Sequence, residues 1–103
     1  MTLNLYHISD SDKDRKLALT ISRSGMKYFN QNGDLVFSSD YSELDEIILD
    51  ERYHYLIKIS LDFATFEFDL FFDGDYAENI ELIKEALTKY ANAVKPDLFE
   101  VRY

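Results

Sequence analysis

With 103 residues, 47% of them hydrophobic and 16% aromatic, the chain has enough large apolar side chains for one core and too little length for two. Twenty acidic side chains against eleven basic ones give a formal charge of −9. That balance excludes the basic footprint that direct DNA or RNA binding demands. There is no cysteine, which excludes disulfides, thiolate nucleophiles and cysteine zinc sites.

The expectation is a single domain over residues 1–103, with no cofactor and no metal. Two histidines are few ligands for a transition metal, and no segment approaches the roughly 20 apolar residues of a membrane span. The N-terminal residues carry no basic leader with an apolar run, so a cytoplasmic protein is expected.

In chain order, Leu3, Leu5 and Tyr6 to Ile8 read as a short first strand, followed by a polar loop from Ser9 to Arg15. Leu17, Leu19 and Ile21 alternate with Ala18 and Thr20, the period of a half-buried strand. Ser24-Gly25 offers a tight turn. Met26 to Asn30 and Leu35 to Ser38 flank Asn32-Gly33, a pair whose tolerance of positive φ predicts a type I′ hairpin. Leu44 to Leu49 also fits a helical turn, but its β-branched pair and short length favour a strand.

Tyr53, Tyr55, Ile57, Ile59 and Leu61 then share one strand face, and Phe66, Phe68, Leu70 and Phe72 share a face of the partner, across a turn near Asp62-Phe63-Ala64. A face so aromatic needs cover, and the remaining element is a helix over 76–94. Asp75 with Glu78 three residues on resembles a capping box, and Ile80, Ile83, Leu87, Tyr90, Ala91 and Val94 recur at spacings of three and four. Pro96 ends the helix. The tail 97–103, with Leu98, Phe99, Val101 and Tyr103, is too apolar for a frayed end and is expected to dock on the sheet or on a partner.

Seven candidate strands and a C-terminal helix, with Leu19-Thr20-Ile21 to Gly25-Met26-Lys27-Tyr28 as a hairpin and Tyr41-Ser42-Glu43-Leu44-Asp45-Glu46-Ile47 entering the fifth strand, resemble the pleckstrin-homology-like superfold. The likeness is to its small bacterial members and spans about residues 3–94. The resemblance implies an α+β fold, a bent antiparallel sheet or partly open barrel of six or seven strands closed by one helix. The chain has no tryptophan, unlike the helix of eukaryotic pleckstrin-homology domains.

Chemistry is sparse. Asp10, Asp12 and Asp14 imitate the start of a calcium loop, but its glycine and bidentate glutamate positions hold Arg15 and Ile21. Asp73-Gly74-Asp75 reads as a strand-to-helix turn with its cap. His7 and His54 have no Ser or Cys in a nucleophile motif, and three glycines leave no phosphate-cradling loop, so catalytic residues are not expected and the chain is read as non-enzymatic.

Charge is the remaining lead. From Tyr28 to Glu51 there are seven acids and no Lys or Arg, and the same holds from Ile59 to Ile83. Such runs keep an aromatic protein soluble, and they also attract a basic protein. The expected function is therefore protein interaction, as an inhibitor or immunity-type partner of a basic protein, through Glu43, Asp45, Glu46, Asp50, Glu51, Glu67, Asp69 and Asp73. The alternative is a lipid- or ligand-binding module using Lys13, Arg15, Lys16 and Arg23, where lipid-binding pleckstrin-homology domains hold phosphoinositides. A small enzyme with an unrecognised acidic site is the third. A homo-oligomer is a further expected assembly.

Overall fold

The computed structural model describes residues 2–7, 16–53, 56–62, 64–69 and 76–103. Eight strands and one helix are formed among them: β1 (Leu3–Tyr6), β2 (Leu17–Ile21), β3 (Gly25–Phe29), β4 (Leu35–Asp40), β5 (Glu46–Asp50), β6 (Leu56–Leu61), β7 (Ala64–Asp69), α1 (Tyr76–Val94) and β8 (Phe99–Arg102). They make two four-stranded sheets, β1-β2-β3-β4 and β7-β6-β5-β8. The expected six or seven antiparallel strands are thus corrected to eight in two sheets with no closed barrel, and β8 runs parallel to β5.

One core joins the sheets and the helix. Leu19, Ile21 and Met26 of the first sheet meet Ile47, Leu49, Ile57, Ile59 and Phe99 of the second, and Ile80, Ile83, Leu87 and Ala91 come down from α1. These helical positions recur every three or four residues, so one stripe buries while Glu81, Glu85 and Lys89 stay exposed. Val94, expected in the stripe, is 49% exposed at the end of the helix. On the strands the period is two: Ile57 and Ile59 are buried and the intervening Lys58 is not. An aromatic group sits where the sheets meet, with Phe66 of β7 edge-on to Tyr28 at 5.5 Å and tilted against Phe37 at 5.3 Å.

The turns explain where the period reading missed. Between β3 and β4 the chain makes a five-residue loop rather than a two-residue type I′ turn, because Asn30 Oδ1 accepts the N–H groups of both Asn32 and Asp34. Of the Asn-Gly pair only Gly33 takes a positive φ, 89°. Gly25 starts β3 where a Cβ would overlap the Ser39 carbonyl oxygen, so the β3–β4 approach requires glycine there. Tyr53, expected on the strand face, ends a 3-10 turn over Glu51–Tyr53. Asp62, with φ 48°, turns the β6–β7 hairpin between Leu61 and Ala64. Tyr55, Leu70, Phe72 and Asp75, the expected helix cap, lie outside the described residues.

Past Val94 a tight turn redirects the chain, with Leu98 N–H donating to the Lys95 carbonyl at 3.1 Å and Asp97 at φ 65°. Asn92 then brackets Phe99, accepting its N–H at 2.8 Å and donating to its carbonyl at 3.4 Å. Lys95 Nζ donates to the Leu44 carbonyl at 2.8 Å, and Ile47 N–H to the Leu98 carbonyl at 2.9 Å. Together these contacts lay the tail residues Phe99–Arg102 alongside β5.

Candidate partner-binding surface

Asp40 closes β4 and caps the 3-10 turn Tyr41–Glu43, accepting from the Ser42 N–H at 3.0 Å and from the Ser42 hydroxyl. Tyr41 points inward instead. It is 1% exposed and donates its hydroxyl to the Ser22 carbonyl at 2.6 Å, and burial, with the neighbouring Tyr90 second, pushes its phenol up to about 12. Anchored this way, the connection holds Glu43 and Asp45 out in solvent, and neither has an ion pair among the described residues. Beside them a shallow groove of about 310 Å³ is lined by hydroxyls of Ser22, Ser24 and Ser38, with Lys27, Asp40 and Glu43 at its margin.

The following acids are held differently. Glu46 faces Arg102 at 3.8 Å. Asp50 is 8% exposed and takes a two-point grip from Arg52, whose Nε and Nη2 donate at 3.0 and 2.8 Å while its backbone N–H donates at 3.0 Å. The Arg52 side-chain bonds hold the Asp50 carboxyl below its ordinary range. Glu51 pairs with Lys84 of the helix, which also reaches Glu81 at 3.4 Å and stands 5.6 Å over the Tyr103 ring. The bond to Glu51 keeps the Lys84 ammonium above its ordinary value.

Glu67 is exposed and lies 4.0 Å from Lys58 across the β6–β7 ladder. Asp69 ends β7, and Asp73 is outside the described residues. The expected acids therefore differ in setting: Glu43 and Asp45 stand in solvent, while Glu46, Asp50 and Glu51 are drawn toward Arg102, Arg52 and Lys84. Of the alternative basic set, Lys13 and Arg15 are outside the described residues, and Lys16 and Arg23 are exposed. Arg23 lines a recess of about 470 Å³ with Lys89, Tyr90, Ala93 and Val94, and Lys16 is not part of it.

His7 Nε2 lies 2.7 Å from the Phe29 carbonyl, a contact that places its proton on Nε2 and joins the end of β1 to β3. His54 lies outside the described residues. Among the described residues no three His, Asp or Glu side chains gather as metal ligands, and no helix is long and apolar enough to cross a membrane. Sequence reading did not single out Leu35 and Val36, which start β4 at 54% and 42% exposure. Their only signal was a pair of adjacent apolar residues where alternation would allow one.

No protein-family model matches the chain, and no curated protein does. Among solved structures the chain is similar to one from the Spt16D Pob3N heterodimer, with a TM-score of 0.60 at 16% identity. The match covers 99% of this chain and 53% of that one, so this chain spans about half of its neighbour's length. Likeness at such identity is a likeness of fold, and it runs through all the elements described above.

Proposed function

We propose that this chain is a pleckstrin-homology-like domain that binds a basic protein without catalysing a reaction, in the manner of an inhibitor or immunity-type partner. The observation that carries the reading is the exposed pair Glu43 and Asp45, held outward by the Asp40 cap and the Tyr41 anchor with no ion pair among the described residues. Carboxylates so placed project their charge into solvent and raise the rate of encounter with a positive surface. Two features of the fold support it. The like-folded neighbour was solved within a heterodimer, and His7 is engaged with backbone rather than with a nucleophile.

The test is to isolate a partner with the domain as bait and measure association with Glu43→Gln/Asp45→Asn at low and high salt. Slower association with a flatter salt dependence is the expected result. Unchanged kinetics at low salt overturns the reading. Loss of binding to phosphoinositide vesicles on replacing Lys13, Arg15 and Lys16 marks the lipid alternative instead.

A further inference from the structure

Among the described residues the two sheets end in four edge strands, and β4 is guarded least. Protein edges are usually blunted by lysine, proline or inward charge, because an open row of backbone N–H and C=O groups templates another strand. On β8, Arg102 and Glu100 pair with each other and Arg102 with Glu46. On β7, Glu67 faces Lys58. On β1, Leu5 is buried and Leu3 and Tyr6 are half-buried. The sequence of β4 is Leu35-Val36-Phe37-Ser38-Ser39-Asp40, without lysine, arginine or proline, and four of its six residues are exposed.

A register shift against Tyr28 and Phe29 leaves Val36 as the extra residue of a bulge. The regular ladder is therefore Phe37–Asp40, whose partners on β3 run from Tyr28 to Gly25. Acids bound it at both ends, with Asp34 before the strand, Asp40 as its last residue and Glu43 and Asp45 beyond. The neighbouring cation is Lys27, across from Ser38 on β3, and it shares its groove with Asp40 and Glu43.

We infer that the edge of β4, which no strand pairs among the described residues, takes an added strand from a basic partner chain, with backbone pairing along Phe37–Asp40, apolar side chains on Leu35 and Val36, and cations beside Asp34, Asp40 and Glu43. The inference rests on the preceding reading that the partner is basic, and it names how that partner docks. Backbone pairing supplies affinity that does not depend on side chains, and alternate side chains supply the choice of partner. An acidic or neutral strand meets the same edge but lacks the flanking attraction.

The probe is a short synthetic peptide alternating lysine with valine, blocked at both termini, beside two twins: one N-methylated at every second residue and one with glutamate for lysine. Binding is followed by amide shifts and hydrogen exchange on the isotopically labelled domain. The lysine peptide is expected to protect those alternate amides of Phe37–Asp40 that point away from β3, and the N-methylated twin to bind at least about tenfold more weakly because it cannot complete the ladder. Val36→Lys, at an exposed position that leaves the core intact, weakens the lysine peptide as well.

Equal binding of the parent and N-methylated peptides overturns strand addition while leaving the basic-partner reading intact. So does protection confined to residues 43–45, or a failure of all three peptides to bind while Glu43→Gln/Asp45→Asn still slows a captured protein. Equal binding of the glutamate peptide overturns both.

Discussion

The chain from Leu35 to Asp45 and the region formed by β5, β8 and the first half of α1 are both rich in acid, and they use it in opposite ways. In the second region Glu46 meets Arg102, Asp50 meets Arg52 and Glu51 meets Lys84. Beneath these pairs lie Ile47 and Leu49, both fully buried. In the first region Glu43 and Asp45 have solvent around them, and the strand before them exposes Leu35 and Val36. One uninterrupted run of acids in the sequence thus divides near Glu46 into an open part and a part that belongs to the architecture. Mutations should separate the halves, since charge removal in one affects folding and in the other affects association.

The largest contrast lies under the paired half. Ile47 is fully buried between the sheets, so Ile47→Ala should cost about 2 to 5 kcal/mol through lost transfer energy and the cavity left behind. Val36→Ser, on the open strand, should stay within about 0.5 kcal/mol in the same denaturant titration. If the two variants moved together, β4 would be packed rather than open.

Tyr41 marks the hinge between the halves. Removing its hydroxyl in Tyr41→Phe leaves the Ser22 carbonyl without that donor and should cost about 1 kcal/mol at neutral pH. Its phenol is raised from the ordinary value of 10.0 to about 12, so the folded state holds its proton more tightly than the unfolded chain does. The resulting stability is fully present below pH 10.0 and is lost as pH climbs toward 12. The thermal midpoint between those values should fall steeply in the parent and less so in Tyr41→Phe, with the Lys84–Glu51 pair supplying a remaining decline above 10.5, the ordinary value from which Lys84 is raised.

Ion pairs come next in size. Lys84→Met should lower stability by roughly 1 kcal/mol or less, because the pair with Glu51 is only partly shielded from solvent. The Asp50 carboxyl is depressed, so its contribution is present above the unfolded value of 3.8 and disappears as pH falls through the lower folded one. Acid unfolding of Asp50→Asn should therefore be shallower than that of the parent below 3.8. An identical acid limb would mean that Arg52 holds Asp50 no better in the folded chain than in the unfolded one.

These contrasts also show what the sequence could carry. Strands β2 and β6 were legible because large apolar residues fall on every second position, Leu17, Leu19 and Ile21 in one and Ile57, Ile59 and Leu61 in the other, and the stripe from Ile80 to Ala91 was legible because helical spacing repeats. Strand β8 was not, since four residues are too few to show a period and its partner β5 lies some fifty positions earlier. Its place depends on the Asn92 bracket and the turn at Asp97, which are tertiary facts. The site was legible as a density of acid and illegible as a surface. Asp50 meets Arg52 two residues away, but Glu46 and Glu51 find cations that only the fold brings near. The hairpin at Asn32-Gly33 misled for a local reason, because the side chain of Asn30 competes for the same turn.

The smallest expected effect on stability is the most telling for function. Glu43→Gln/Asp45→Asn removes two carboxylates that have no ion pair among the described residues, so its thermal midpoint should match that of the parent, within the roughly 0.5 kcal/mol typical of surface changes. Glu51→Gln, a change of one charge a few residues on, should lower it by removing the carboxylate that holds Lys84. Association with a basic partner should show the reverse order, since a carboxylate already satisfied by Lys84 contributes little to the field outside the protein, whereas Glu43 and Asp45 project theirs into solvent. Stopped-flow association at low salt, beside thermal melts of the same three samples, reads both quantities. A slower rate for Glu51→Gln than for the double variant would place the steering charge on the helix side of the molecule and take it away from the β4–β5 connection.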